Sequence, residues 1–413
     1  MSHTPPMSLS VFTPFQIRTY RFQFAADLLI SCAIEMELPI LGWYILVETR
    51  SVLLLAVFGG LHYVGTLISP LVGVAGDRLG CRTVLMALRA LFSLLSATLL
   101  GLVLMQWLDP ITALIVSGLG GLFRPSDGMI RNTLVSQTVP QTQLMLALGL
   151  SRTTQDMSRV MGALLGTGLV TALGFVQAYL VITTLYCTGT VLTRGAHQVI
   201  LPASRRSPLQ DMWQGLVYVR STPGLLAAFW IACLINLTAY PFTLGLLPHV
   251  AKSVYQIDQT GLGYLVASFS LGGFFGSISL SLWGQKVRPA HAMLCGAAVW
   301  YIFLLAFGQT ESLWPGMILL ICAGLAQNIC TVPMFVMMLK LSAEDYRGRV
   351  MGARILAIYG LPMGLLMAGP MIEQWGFART NLIMTLTGLV LLALIAAIWH
   401  RQLVDPQAPA NQI

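Results

Sequence analysis

Three acidic residues, Asp27, Glu35 and Glu37, interrupt the first long apolar stretch of the chain. If that stretch crosses a bilayer, each charge near its centre costs about 2.5–3.5 kcal/mol on insertion scales, so these side chains are not expected to face lipid. A carboxyl group at that depth either binds a proton or a cation, or stays protonated and joins two helices by a hydrogen bond. We expect Glu35 or Glu37, with Glu35 favoured, to bind a proton or a cationic substrate.

The two glutamates are expected to point in different directions. A helix turns by about 100° per residue, so Glu35 and Glu37 lie roughly 160° apart and cannot both face one cavity fully. Asp27 lies between them in angle. Pro39 cannot donate a backbone hydrogen bond to the carbonyl of Glu35, so the helix is expected to loosen there.

Two matched sets of charges follow in the fourth and fifth apolar stretches: Arg124, Asp127 and Arg131, then Arg152, Asp156 and Arg159. Their spacings of three and four residues put each set on one helix face, where opposite charges meet. One interpretation is an ion-pair lattice between two antiparallel helices that supports a gate together with Asp77, and Arg89 either joins this lattice or snorkels. The alternative is that Arg124 or Arg159 faces a cavity, where it tunes a carboxylate or binds an anion.

Polar residues of the second half of the chain are mostly neutral. Asn236, Gln327 and Asn328 lie within apolar stretches, where they serve either a bulky amphipathic ligand or hydrogen bonds between helices. Arg354 follows an Arg-Gly-Arg turn, and we expect it to act in gating. Two histidines, His62 and His249, are expected to be solvated near the ends of their helices.

The composition of the whole chain is typical of a protein that lies in a lipid bilayer. Only 9% of the residues are charged and the mean hydropathy is +0.78. Apolar stretches long enough to cross a bilayer occur twelve times, without the alternation of barrel strands, so they are expected to be helices. The predicted spans are 22–46, 52–75, 83–105, 111–131, 147–170, 173–193, 223–247, 260–283, 289–308, 313–337, 350–372 and 377–399.

The net charge of +8 is explained by topology and not by a nucleic-acid partner. If both termini are cytoplasmic, the outer connections hold only Arg50, Lys252 and Arg379, and the inner connections hold most of the remaining basic residues. This is the positive-inside rule. We expect a multi-pass protein of a bacterial inner membrane, whose first span serves as an uncleaved signal.

The longest hydrophilic connection, 194–222, separates six spans from six spans. We therefore predict an N-terminal six-helix half (1–193), a cytoplasmic linker (194–222) and a C-terminal six-helix half (223–413). Enzyme chemistry finds no support, because the sequence has no Walker A motif, no catalytic triad spacing and no metal-ligand spacing among its seven cysteines and six histidines. No cofactor is expected, and the proton gradient is the expected drive.

One turn carries a specific motif. Between the second and third spans the chain reads G-x-x-x-D-R-x-G-x-R, with its fixed positions at Gly73, Asp77, Arg78, Gly80 and Arg82. The sequence resembles the major facilitator superfamily in this motif and in its 6+6 spans. In that family the turn latches the two halves together, so the resemblance implies gating roles for these five residues, which we extend to Asp127, Arg131, Asp156 and Arg354.

Other stretches resemble the siderophore-exporter and drug-efflux branch, including enterobactin exporter-like proteins. They are Phe123-Arg-Pro125, Leu247-Pro248-His-Val-Ala, Gly261-Leu-Gly263-Tyr and Arg347-Gly-Arg349-Val-Met-Gly352. The antiporter pattern of the fifth span is only partly kept: Gly162 and Gly166 are present, but Ala163 stands where that pattern has proline.

The sequence thus predicts an all-α major facilitator fold of twelve transmembrane helices, working as a monomer by alternating access. The expected function is export of a small amphipathic molecule, a siderophore or a drug, by proton antiport. Its expected binding residues are Asp27, Glu35, Glu37, Arg124, Arg159, Asn236, Gln327 and Asn328. The alternatives are multidrug efflux of lipophilic cations, for which the acidic first span argues, and a membrane sensor or scaffold that transports nothing.

Overall fold

The computed structural model describes residues 13–196, 208–283, 288–343 and 346–400, together with 402. Within these ranges the chain is helical, with short connections. The helices of the first half are α1 (Arg18–Thr49), α2 (Val52–Val64), α3 (Ser69–Leu79), α4 (Cys81–Leu104), α5 (Pro110–Thr138), α6 (Gln141–Leu173) and α7 (Phe175–Thr193).

The second half begins after a helix that lies in the connection between the halves, α8 (Pro208–Ser221). Its helices are α9 (Pro223–Thr238), α10 (Leu247–His249), α11 (Gln259–Trp283), α12 (Pro289–Phe307), α13 (Leu313–Leu341), α14 (Arg347–Ile355), α15 (Gly360–Trp375) and α16 (Phe377–Ile398). Together they form twelve membrane-crossing segments in two sets of six.

Each half has its own hydrophobic core. One core joins residues of the second half around Trp300, Tyr301 and Phe307, and a separate one joins the first half around Phe92, Tyr179 and Ile182. Among the described residues, seven helical segments are long and apolar enough to cross a membrane by length and composition alone, and α8 with α9 makes an eighth as a bent pair. The remaining crossing segments are α1, α5 and α6, which carry the buried charges other than Arg89 of α4, and the broken pair α2–α3.

Three of the predicted spans are interrupted in the structure. The second is broken by a 3-10 turn at Gly65–Leu67, because Pro70 lacks an N–H and Gly65 meets the backbone of α5 at Leu122. The seventh passes through a π-helical turn at Pro241–Gly245, and a second such turn, Val250–Val254, follows the predicted end of the span. The eleventh has a 3-10 turn at Leu356–Tyr359, directly before Gly360. By contrast, α1 continues as a helix through Pro39.

The sequence predicts only a linker where the structure has helix α8. It bends by 114° into α9 and packs on α14, where the ring of Tyr218 stacks on Tyr346 at 4.4 Å between centroids. Gly215 allows this approach, since a Cβ there would lie 2.1 Å from the carbonyl oxygen of Arg349. We call the membrane face at which α8 lies the linker side, and the opposite face the far side.

The two halves touch each other on the far side. Thr260 of α11 donates to Thr171 of α6 at 3.0 Å. The carboxylate of Glu373 on α15 accepts from the backbone N–H of Leu53, at the start of α2, at 3.3 Å. Val52 of α2 is buried in the core of the second half. These contacts close the far-side end of the space between the halves.

Candidate substrate cavity and its charged neighbours

A cavity that is open to solvent, with about 1090 Å³ of empty space including its open end, lies between the two halves. Its walls come from α1, α2 and α6 of the first half and from the α10 region, α11 and α13 of the second half. Its polar and aromatic lining includes Glu35, Phe58, His62, Tyr63, Arg152, Asp156, Arg159, Thr243, Phe269, Ser270, Gln327 and Asn328. The far-side contacts close one end, and the exposed side chain of Arg152 marks the linker-side end.

An ion pair between α1 and α6 forms the charged wall of this cavity. Arg159 Nε donates to Glu35 Oε1 at 3.3 Å, and the two side chains are 44% and 22% exposed. Gly162 makes this pairing possible, because a Cβ there would lie 2.7 Å from the Cβ of Glu35. Arg159 therefore lies where the second interpretation of the sequence places it, in a cavity and beside a carboxylate.

A second pair lies nearer the linker side on the same helix. Arg152 Nε lies 3.5 Å from Asp156 Oδ2, one turn away, and the Arg152 side chain is 57% exposed. Asp156 is buried and also interacts electrostatically with Arg159. Both residues line the cavity, so Asp156, predicted for gating, lies beside the predicted binding residues.

The opposite wall presents amide groups of α13. Gln327 Nε2 donates to Tyr240 Oη at 2.9 Å and to Thr331 Oγ1 at 3.3 Å. Asn328 Nδ2 donates to Ser277 Oγ at 2.9 Å and also to the carbonyl oxygen of Gly273. These bonds use the amide donors, so the two side-chain oxygens retain capacity to accept a hydrogen bond from a ligand.

Asp27 belongs to a separate, closed network. Arg89 is fully buried and pairs with Asp27 and with Asp127, whose Oδ1 lies 3.1 Å from Arg89 Nε. Thr193 Oγ1 accepts a third bond from Arg89 at 2.7 Å. Arg131 approaches Asp27 at 4.0 Å and donates to Ser31 Oγ at 3.2 Å. This network joins α1, α4, α5 and α7 within the first half.

Glu37 lies in a second closed site. It pairs with Arg124 and accepts from Tyr186 Oη at 3.0 Å. Neither Glu37 nor Arg124 lines the central cavity; both line a small pocket of about 240 Å³ within the first half. Glu35 and Glu37 thus face different sites, in agreement with their angular separation on the helix.

The predicted lattice between the fourth and fifth spans is wrong in its partners. Among the described residues, Arg124, Asp127 and Arg131 of α5 make no ion pair with Arg152, Asp156 or Arg159 of α6. The physical reason is that α1 packs against both helices and supplies Asp27, Glu35 and Glu37 to arginines on its two sides.

The signature turn has the backbone that its glycines predict. Gly80 has φ +87° and forms a one-residue turn between α3 and α4. Gly73 packs on Met129 of α5, Arg78 is exposed and Arg82 is partly buried. The Asp77 side chain lies outside the described part of the structure. The gating roles of these residues stay predictions.

Three further residues lie in unexpected surroundings. His62 and His249 are buried and not solvated, and His62 Nδ1 donates to the carbonyl oxygen of Phe58 at 2.8 Å. Asn236 is not among the residues that line the cavity; it donates to the carbonyl oxygen of Ala232 at 2.8 Å in its own helix.

The cavity residues for which the sequence predicts no binding role include Arg152, His62 and Tyr63. Of these, only Arg152 could have been predicted from the sequence, because it lies one turn before Asp156.

The comparisons with known proteins agree with this architecture. The sequence profile described as Major Facilitator Superfamily matches residues 24–359 and 230–412. The "Multidrug efflux pump Tap" of Mycolicibacterium fortuitum is 24% identical over 352 residues, which are 82% of this chain and 84% of that protein.

Solved structures with the same fold include a mutant of the nucleoside transporter NupG, with a TM-score of 0.75 and 14% identity over 92% of this chain and 100% of that chain. A bacterial homolog to the human lysosomal transporter Spinster has a TM-score of 0.73 and 12% identity over 96% of this chain and 100% of that chain. With twelve spans in two halves around a central cavity, and a family profile that matches most of its length, the chain belongs to the major facilitator superfamily.

Proposed function

We propose that this transporter exports a small amphipathic molecule from the bacterial cytoplasm by alternating access, and that a proton on Glu35 drives the cycle. One observation carries the proposal. Glu35 is a membrane-depth carboxylate in a cavity shared by both halves, and its ion-pair partner Arg159 is also exposed to that cavity. A carboxylate in such a place can take up a proton without first breaking a closed core.

Protonation of Glu35 would act through its neighbours. Arg159, Arg124 and Tyr63 all interact electrostatically with Glu35. A proton on Glu35 removes the negative charge that Arg159 contacts at 3.3 Å and leaves the guanidinium available to a ligand. Proton and substrate must favour opposite arrangements of the halves, since a ligand shifts an equilibrium only by its differential affinity for two states.

Two substrate classes remain candidates for this cavity. The relative named as a multidrug efflux pump supports a drug, and Glu35 and Asp156 suit a lipophilic cation. The exposed guanidinium groups of Arg152 and Arg159, together with the amide oxygens of α13, support a polar and acidic molecule such as a siderophore. A sensor or scaffold that transports nothing is the alternative from another class.

The test uses everted membrane vesicles with an acidic interior and a pH-sensitive dye, to which lipophilic cations and then siderophores are added. Wild type should release the pH gradient with one of these classes. Glu35→Gln should lower that rate by about tenfold or more, because an amide cannot carry the coupled proton. Glu48→Gln, at the exposed far-side end of the same helix, is the matched control and should keep the wild-type rate.

The outcomes separate the alternatives. A response that Glu35→Gln leaves intact would place the coupled proton elsewhere. No response of verified folded wild-type protein to any compound of the panel would contradict proton-coupled export and favour the sensor or scaffold.

A further inference from the structure

Arg354 of α14 is a cation without an acidic partner among the described residues. Its guanidinium lies over the ring of Phe335, 5.5 Å from the ring centroid, and its Nε atom is buried without a hydrogen-bond partner. A buried donor on a charged group is costly to leave unpaired, and cation–π contact with phenylalanine replaces only part of a hydrogen bond.

The position of Phe335 places Arg354 on the linker side of the cavity, beyond the residues that line it. Gln327, Thr331 and Phe335 are spaced by four residues and therefore share one face of α13. Gln327 lines the cavity, and Phe335 lies two turns closer to the linker side. Tyr240, which accepts a hydrogen bond from Gln327, also interacts electrostatically with Arg354.

Arg152 is a cation of the first half that interacts with Arg354. It comes from α6 of the first half, lines the cavity and repels Arg354 electrostatically. Its own partner, Asp156, also interacts with Arg159, so Glu35 and Asp156 are paired with Arg152 and Arg159, and the guanidinium group of Arg354 is a third, unpaired cation. The linker-side part of the cavity therefore has an excess of positive charge.

We propose that Arg354 and Arg152 bind an anionic group of the transported molecule, one arginine from each half. The inference rests on the proposed function and narrows it to molecules that carry a carboxylate, sulfonate, phosphate or similar acidic group. Guanidinium groups suit such groups because their N–H donors match paired oxygen acceptors. The apolar remainder of the molecule lies against the aromatic lining deeper in the cavity, near Phe58 and Phe269.

An anion between the two arginines has a second consequence. Like charges on the two halves oppose closure of the linker-side opening, and an anion between them removes this repulsion. The ligand would thereby stabilise the closed opening more than the open one, which is the differential affinity that alternating access needs.

The test compares two dyes that share one aromatic skeleton, anilinonaphthalene sulfonate and the uncharged N-phenylnaphthylamine. Binding to the purified full-length protein in lipid nanodiscs is followed by dye fluorescence, with empty nanodiscs as background. Wild type should bind the sulfonate about tenfold more tightly than the uncharged dye. Arg354→Gln and Arg152→Gln should each weaken sulfonate binding by about tenfold, the effect of losing one charge-assisted hydrogen bond, and leave the uncharged dye unaffected.

Two further variants serve as controls. Arg379→Gln removes an exposed charge on the far side and should leave both dyes unaffected. Arg354→Lys keeps the charge and should recover part of the sulfonate affinity. Arg152→Gln alters a side chain that is 57% exposed, so its effect on binding is testable even if the Arg354 variants do not fold.

Equal affinity of wild type for both dyes, or an equal loss of both in the arginine variants, would overturn the inference. Failure of the proposed function has a different signature. Lipophilic cations could still release the pH gradient in a Glu35-dependent way while the arginine variants do not change dye binding. This result would support export and contradict the anion site. If the arginine variants weaken sulfonate binding but no compound releases the pH gradient, the result would support the anion site and contradict proton-coupled export.

Discussion

The buried charges of the first half are stabilised by partners and not by solvent. Arg89 is 0% exposed and contacts Asp27, Asp127 and Thr193. Two carboxylates around one guanidinium share its donors, and Arg131 lies nearby to balance the remaining negative charge. Such a set is costly to break, because the groups left behind stay buried without a counter-charge.

Replacement of Arg89 by Met should therefore destabilise the protein strongly. We expect a loss of about 3–5 kcal/mol in the free energy of unfolding, since Asp27 and Asp127 lose their partner inside the first half. The measurement is reversible unfolding in detergent micelles. Arg379→Met, which removes an exposed charge on α16, is the matched control. The triple variant Arg89→Met, Asp27→Asn, Asp127→Asn should recover part of the loss, and an Arg89→Met protein as stable as the control would contradict this account.

The packing of elements around the cavity depends on glycines of α6. Gly162 and Gly166 face α1, and a Cβ at Gly166 would lie 2.8 Å from the Cα of Met36. Close approach of helices at small residues is the usual means of association in a membrane, where the hydrophobic effect does not drive helices together. This approach brings Arg159 within reach of Glu35, so helix packing determines the geometry of the ion pair.

Gly166→Leu should push α6 away from α1. Overpacking of this kind costs about 1–3 kcal/mol, and we expect a loss of that size in the free energy of unfolding together with slower transport. Gly168→Leu is the matched control on the same helix, because a Cβ there meets no atom within 4 Å. Equal stability of the two variants would show that the α1–α6 contact tolerates separation.

At the scale of the whole molecule, the two halves meet on the far side while the cavity reaches the linker side. The contacts between α6 and α11 and between α2 and α15 hold the far side closed. Alternating access requires these contacts to break once in each cycle, since otherwise the ligand cannot leave on that side.

A covalent link across the far side should stop the cycle. The side-chain oxygens of Thr171 and Thr260 lie 3.0 Å apart, so cysteines at both positions are expected to form a disulfide under mild oxidation. Transport in vesicles should fall in proportion to the linked fraction, and a reductant should restore it. The single variants Thr171→Cys and Thr260→Cys control for the native cysteines. Full activity of completely linked protein would show that the far side does not open here.

Several features of the molecule follow from the sequence because they depend on neighbouring residues only. The twelve apolar spans reflect the thickness of a bilayer, and the different directions of Glu35 and Glu37 reflect helix geometry, so both were predictable. The turn at Gly80 was predictable for the same reason, since its motif is local. The helix α8 was missed, because the hydrophilic linker lacks the apolar length by which the spans were found.

Only the tertiary structure decided which charges meet. The spacings in α5 and α6 show that each set lies on one helix face, but they contain no information about the helix that covers that face. The structure places α1 there, so that Arg159 pairs with Glu35 and Arg124 with Glu37. It also leaves Arg354 of the second half without an acidic partner among the described residues, where it is repelled by Arg152 of the first. Ion-pair partners are set by packing between distant segments, whereas the sequence pattern reports only the periodicity within each one.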